Sequence, residues 1–290
     1  MNEQKYTRCQ IVPASYIDSE CRMTVYGMVS YTQDITGYHA TATKITVPHM
    51  HQKGLTWIVS KQRFVIEEYP LWMDEFAMTT WSNSPRGILF NREYEYSYIE
   101  PNGKKDFLSL PEEGRRADEN LVLSKPFFRG NSLWLVLDSK TMRPVKVTED
   151  VLGTLPFCDE LAVEGGFPKI NLPEEMQLSE EFTPTLMDID INDHVNHTVY
   201  VHWILSWLPK ELVRSKSVHV LETHFINSAM YGDKLVVKSA RVETNTAEVD
   251  VNEGDITYVH SVVRVSDGTE MFRAKTVWRD TSLMSRKLKV

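Results

Sequence analysis

The sequence predicts an α+β protein of two tandem units, each an antiparallel sheet wrapped around a central helix. Three observations lead there. A helix-like stretch followed by several strand-like runs occurs twice along the 290 residues. Between the two, residues 151–177 lose all periodicity and carry Gly153, Pro156, Gly165, Gly166, Pro168 and Pro173, the composition of a crossing between domains. No apolar run approaches the length of a membrane span. The expected division is therefore residues 1–150, a linker at 151–177, and residues 178–290.

In chain order, residues 23–30 read as a short β-like run that hands over to a helix across 31–45, where Ile35, Tyr38, Ala42 and Ile45 share one face. Gly37 and the threonines are poor helix formers, so burial must hold this helix. Residues 55–69, 75–82 and 88–99 are rich in Trp, Ile, Val, Phe and Tyr and read as strands, separated by Pro70 with Trp72 and by a turn at 84–87. A charged stretch with Pro and Gly at about 100–130 reads as an insertion, after which strand character resumes at 132–137. Beyond the linker a second helix is expected at about 196–214, then strands at 218–230, 234–244, 256–265 and 270–279, with Asp267-Gly268 suited to a tight hairpin. Residues 63–67 set beside 224–228, followed by Asp74 and Asp233 respectively, point to an internal duplication.

The chemistry concentrates in one stretch. Asp188, Asp190, Asn192, His194 and Asn196 recur at every second residue, so an extended segment would present all five on one face. The row runs into Val199, Tyr200, Trp203, Ile204, Trp207 and Leu208, apolar residues at helical spacing, so it ends at a helix N-terminus that offers backbone N–H groups to a developing oxyanion. Histidine titrates near neutrality and suits proton transfer, a carboxylate can orient it, and a carboxamide both donates and accepts. The competing bland reading is that Asp/Asn clusters before helices serve as caps and turns. A calcium loop is disfavoured because Asp193 and Val199 stand where Gly and Glu are needed. His194, His197 and His202 match no zinc spacing. Tyr200, Trp203 and Trp207 read as core.

A net charge of -8 argues against broad nucleic-acid binding. Cys9, Cys21 and Cys158 are too few and too scattered for a disulfide frame. The first residues lack signal or transit character, so a cytoplasmic location is the expectation. No metal and no cofactor are expected, and neither is a G-x-S-x-G nucleophile elbow present.

Asp190-Ile-Asn-Asp-His-Val-Asn196 with Tyr200 and Trp203 resembles the D-x-N-x-H-V-N segment of the fatty acyl-ACP thioesterases of plants and bacteria. The likeness extends to Tyr31-Thr-Gln-Asp34, to residues 55–59, to 69–74, and to 132–138 with Thr141 and Arg143, so it covers nearly the whole chain. This resemblance implies two tandem hotdog domains, with the acyl-chain pocket largely in the first and the catalytic site in the second. It implies hydrolysis of the thioester between a fatty acyl chain and acyl carrier protein, and it places Asp190, Asn192 and His194 on the catalytic positions, with Asn196 and Ser228 as possible support. Trp57, Trp72, Trp81 and Trp134 read as packing residues, and the pocket that the resemblance places in the first hotdog would take some of them as its border. One departure stands out: where the family carries a carboxylate after the second helix, the ungapped position here is Ser228. Lys210, Arg214, Lys216, Arg273, Lys275 and the tail at 286–289 form a candidate surface for the acidic carrier. Three readings stay open: an acyl-ACP thioesterase acting as monomer or homodimer, an acyl-CoA thioesterase, and a non-enzymatic acyl-binding protein motivated by Ser228.

Overall fold

The computed structural model describes residues 4–100 and 122–285. Most of the insertion expected at about 100–130, and the basic tail, lie outside the described residues. The described residues divide into two compact units, the first of residues 4–59, 66–100, 122–163 and 285, the second of residues 60–65 and 164–284.

The first unit opens with strand β1 (Tyr6–Ile11), followed by the long helix α1 (Val25–Ala42) and the short α2 (Val47–Gln52). Strands β2 (Leu55–Ile66), β3 (Glu75–Ser82), β4 (Leu89–Ile99) and β5 (Leu123–Asp138) follow, then the two-residue β6 (Pro144–Val145) and α3 (Glu149–Leu152). The sheet order is β1-β3-β4-β5-β2. The β-like run expected at 23–30 is helical instead. Thr24 caps α1 by accepting the Gly27 N–H at 3.1 Å, and burial of Val25, Met28 and Val29 overrides their β preference. Gly27 is required here, because a Cβ would lie 2.6 Å from Tyr16 Cβ. The hydroxyls of Ser30, Thr36 and Thr41 donate back to the carbonyls one turn earlier at 2.7–2.8 Å, which removes the competition that makes such residues poor helix formers. β1 was not anticipated from the sequence; it is a six-residue edge strand, largely half-buried, paired along its length with β3.

The second unit begins with the two-residue β7 (Gln177–Leu178), then α4 (His197–Ser206), α5 (Lys210–Ser215), β8 (Lys216–Phe225), β9 (Leu235–Val242), β10 (Ile256–Arg264) and β11 (Glu270–Asp280). Residues 61–65 of β2 pair antiparallel with β8, and the order continues β8-β11-β10-β9-β7. The helix expected across 196–214 is two helices, because Pro209 cannot supply the N–H that would continue the first. The core is aromatic around α4: Tyr200 stacks on Phe272 at 5.0 Å and meets Trp203 edge-on at 5.2 Å, and Trp203 meets Phe182 at 4.9 Å. Trp207 departs from the expected core stripe and is 44% exposed. Each unit is thus an antiparallel sheet on one principal helix, the arrangement the resemblance implies.

Candidate active site

The polar row is a folded turn. Thr185 opens a single 3-10 turn at Leu186–Asp188, and the Asp188 carboxylate accepts from the Thr185 N–H at 2.7 Å and its hydroxyl at 2.8 Å. Asp188 therefore serves the backbone. The chain then doubles back: Ile189 bridges Val195 antiparallel, the Asp190 N–H donates to the His194 carbonyl at 2.8 Å, and the Asp193 N–H donates to the Asp190 carbonyl at 3.1 Å. Asp193 takes up the left-handed conformation at φ 59° that closes the turn. Asp190 Oδ1 accepts the Asn192 N–H at 2.8 Å, an Asx turn that explains why an aspartate starts the loop. The expected extended row with five side chains on one face is overturned, because local side-chain to backbone bonds outcompete extension.

What the turn brings together is Asp190, Asn192 and His194 on one five-residue loop, all half-buried. Among the described residues, Asp190 Oδ2, the Asn192 carboxamide and the His194 imidazole accept or donate no hydrogen bond within the protein. Asn196 is the N-cap of α4: its Oδ1 accepts from the Thr198 N–H and hydroxyl, both at 3.0 Å, while the Val199 N–H donates to the Asn196 carbonyl at 3.0 Å. The helix start thus spends two of its free N–H groups on its own cap, which narrows the backbone contribution to an oxyanion site. His197, behind the cap, meets Phe225 edge-on at 5.9 Å, and burial lowers its pKa to about 4, so it is neutral near pH 7.

Ser228 lies beyond the end of β8, past a bend at Asn227, and is exposed. The unbroken strand assumed for it stops at Phe225, where Ile226 and Asn227 both donate to the Met271 carbonyl. The next residue joins the loop that carries Asp190, Asn192 and His194: the Val195 N–H donates to the Ala229 carbonyl at 2.9 Å. The Ala229 N–H in turn donates to the Tyr200 hydroxyl oxygen at 3.1 Å. Tyr200, assigned to core packing from the sequence, packs in the core and also accepts from the residue that backs this loop. Burial pushes its phenol up to about 12, with Asp233 and Asp190 adding to the shift, which marks both carboxylates as its electrostatic neighbours. The phenol keeps its proton, and an O–H that already accepts from Ala229 still has a proton to donate. Aromatic residues on a buried helix face carry no sequence signal of this second role.

In the first unit an apolar cavity of about 180 Å³ is bordered by Ala40, Ile45, Trp57, Phe90 and Trp134, with Arg92 in its wall. Of the four tryptophans considered, Trp57 and Trp134 border it, Trp81 is buried and donates to the Glu160 carbonyl at 2.9 Å, and Trp72 is exposed. The basic surface shrinks on inspection. Arg273 is held by Glu270 at 2.6 Å and Lys275 by Glu222 at 2.8 Å, leaving Lys210 and Arg214 exposed. Among the described residues no group of three His, Cys, Asp or Glu side chains could hold a metal ion, and no helix is long and apolar enough to cross a membrane.

Comparison with known proteins matches this arrangement to one family. The model of the acyl-ACP thioesterase N-terminal domain matches residues 3–105 and that of the C-terminal domain residues 172–280. A palmitoyl-acyl carrier protein thioesterase of Gossypium hirsutum is 26% identical over 241 residues, covering 80% of this chain and 52% of the relative. An oleoyl-acyl carrier protein thioesterase of Coriandrum sativum is 23% identical over 295 residues, covering 89% and 72%. The chain therefore spans about half the length of the first of these relatives. The solved structure of a 12:0-ACP thioesterase from Umbellularia californica superposes with a TM-score of 0.75 at 19% identity, covering 97% of this chain and 95% of that one, a likeness of fold.

Proposed function

Because the chain belongs to the acyl-ACP thioesterase family, we propose that it hydrolyses the thioester of fatty acyl-acyl carrier protein, releasing the free fatty acid and the carrier thiol. The observation that carries this reading is the turn that gathers Asp190, Asn192 and His194 on one loop, with the carboxamide, the imidazole and one Asp190 oxygen uncommitted to the fold, beside the phenol of Tyr200. In the proposed reaction His194 accepts a proton from water as its oxygen attacks the thioester carbon. Asn192 donates its carboxamide N–H to the developing oxyanion, while Asp190 orients the imidazole and stabilises its cation. The tetrahedral intermediate collapses with cleavage of the C–S bond, and the imidazolium returns its proton to the leaving thiolate. Asn196 supports the site by fixing the start of α4. No cofactor enters this scheme. Exposed Lys210 and Arg214 offer the acidic carrier a first contact. Three free cysteines suit a reducing compartment such as the cytoplasm.

Ser228 favours a second reading, an acyl-binding protein without turnover, because no carboxylate follows the Asn227 bend before Asp233 and Asp233 already accepts the Met230 N–H at 2.9 Å. Steady-state hydrolysis of acyl-ACP and acyl-CoA by wild type, His194→Ala and Ser228→Glu decides between them. The thioesterase reading expects turnover of acyl-ACP that falls by about 10²–10⁴-fold in His194→Ala. Preference for acyl-CoA would move the substrate to the other carrier. No hydrolysis by wild type, with activity appearing only in Ser228→Glu, would establish the binding protein.

A further inference from the structure

The cavity of the first unit contains a group that a hydrocarbon chain alone does not call for. Arg92 is only 2% exposed, yet it lines a mostly apolar space that Trp57, Phe90 and Trp134 also border, with Gln33, Thr36 and Thr46 as its other polar neighbours. Its partners are neutral. NH1 donates to His39 Nδ1 at 2.9 Å and approaches Thr80 Oγ1 at 3.3 Å. Burial and the adjacent guanidinium lower His39 to about 3, so its imidazole carries no charge to repel or attract. The phenol of Tyr94, two residues along the same face of β4, is taken up by Thr36 and Ser132 at 3.0 and 2.9 Å. Glu93 points to the other face of the strand and accepts the Ala162 N–H at 3.0 Å. Among the described residues no carboxylate pairs with Arg92. A buried, unpaired cation is unfavourable unless something completes it, and a planar guanidinium is shaped to take a carboxylate through two parallel hydrogen bonds.

We infer that this cavity receives a carboxylate carried on an aliphatic chain, with Arg92 as its counter-charge and the aromatic walls around its methylenes. Gly37 of α1, itself exposed, borders the same space, and a Cβ built on it meets nothing within 4 Å, so a larger side chain fits at the edge of the cavity. The carboxylate has two sources. One is a free fatty acid. The other is an acyl thioester whose far end is itself a carboxylic acid, a source that rests on the thioesterase reading above.

Isothermal titration of the whole protein with decanoic acid and decan-1-ol tests the charge recognition. Wild type is expected to bind the acid at least about tenfold more tightly than the alcohol. Arg92→Met should bind the two within about twofold of each other, Arg92→Lys should keep part of the preference, and Gly37→Leu should weaken both ligands. Thermal melting of each variant establishes that it folds, and Arg92→Lys carries the test if Arg92→Met does not. A second arm compares hydrolysis of acyl-ACP substrates of equal length that end in a methyl or a carboxyl group. An Arg92-dependent preference for the carboxyl end identifies the thioester as the source; acid binding without that preference identifies the free fatty acid. Hydrolysis of neither substrate, with Arg92-dependent acid binding intact, would fail the thioesterase reading and leave this one standing. Equal binding of acid and alcohol by wild type, with no Arg92 dependence in either arm, would overturn it.

Discussion

His194 stands in the second unit where Arg22 stands in the first. In both turns an aspartate N–H donates at 2.8 Å to the carbonyl of the residue four positions on, Asp18 to Arg22 and Asp190 to His194. In both, the third residue after that aspartate is left-handed at φ 59°, Cys21 and Asp193. Both aspartates accept the N–H two residues on at 2.8 Å, from Glu20 and from Asn192. The N-cap of the principal helix follows in both, Thr24 and Asn196. The difference lies in the side chains. Arg22 Nε and NH2 each lie 2.9 Å from Asp18 Oδ2, so the first turn is clamped shut by an ion pair. The second turn, with an imidazole and a carboxamide in place of Arg22 and Glu20, leaves Asp190 Oδ2 for other work. One copy of the motif stabilises its unit, and the other is free for chemistry.

That contrast yields paired variants. Asp190→Asn retains an oxygen to accept the Asn192 N–H, so the turn should survive while the charge is lost. We expect an unchanged urea midpoint and a fall in kcat/KM of about 10²-fold or more. Asp18→Asn should do the reverse: a loss of about 1–3 kcal/mol of stability as the Arg22 guanidinium loses the nearer of its two acids and keeps Glu20 at 3.7 Å, with near wild-type turnover. Equal loss of activity in both variants would show that the two turns act only through folding.

Tyr200 offers a second test of the site. Tyr200→Phe keeps the ring stacked on Phe272 but leaves the buried Ala229 N–H with no acceptor, an arrangement that costs about 1–3 kcal/mol. Because Ala229 also receives the Val195 N–H, the loop carrying His194 loses its backing. The expected outcome is a drop in kcat larger than any rise in KM, together with lower stability by urea denaturation. Lower stability with wild-type kcat would confine Tyr200 to the core.

The order of the elements was legible because strands rich in β-branched and aromatic residues announce themselves, and because Asp267-Gly268 marks its hairpin, with Gly268 at φ 71°. What misled was local. Met23 to Ser30 has β propensity, yet a Thr24 cap and the burial of Val25, Met28 and Val29 make it the first turns of α1. Alternating Asp, Asn and His read as an extended row, but aspartates two residues from a free N–H prefer to close a turn on it. Asp190, Asn192 and His194 still share one loop, since all three fall within five residues of sequence whatever their backbone does. The contacts of Tyr200 and Arg92 were invisible in the sequence, because they are made with partners distant along the chain, Ala229 for one and His39 with Thr80 for the other.

Stability in the second unit should hinge on Glu222, which is 1% exposed and lies in an ion pair with Arg63 and within 2.8 Å of Lys275 Nζ. Arg63 reaches Asp250 at 3.2 Å and Lys275 pairs with Glu248, so the cluster is closed by two further acids nearer the surface. Glu222→Gln should cost about 1–3 kcal/mol, because Arg63 and Lys275 then keep only the outer acids Asp250 and Glu248. Glu222→Gln combined with Arg63→Met and Lys275→Met should recover much of the loss, read as urea midpoints of the single and triple variants. A single variant as stable as wild type would mean that water already screens the cluster.

Acid sensitivity follows from interior histidines, of which His260 and His39 are shifted further than His197. His260 is fully buried between the Ser239 and Thr276 hydroxyls, each at 2.9 Å, and burial lowers its pKa to about 3; His39 is lowered to about 3 as well. A histidine in the unfolded chain titrates near 6.5. The folded pKa is the lower one, so the unfolded chain binds the proton first as pH falls. Their stabilising contribution is complete above about pH 6.5 and drains away toward pH 3, at about 1.4 kcal/mol per pH unit for each group. Glu93 acts with the opposite sign: burial raises it to about 7, so its contribution is lost as pH climbs from about 4.5 toward 7. Urea unfolding at pH 6.5 and pH 5 should therefore show wild type losing about 2 kcal/mol more than His260→Gln, which keeps hydrogen bonds to Ser239 without a titrating ring. The same pH dependence in both proteins would mean that His260 becomes protonated inside the folded unit, and that the Ser239 and Thr276 hydroxyls rearrange to accept from it.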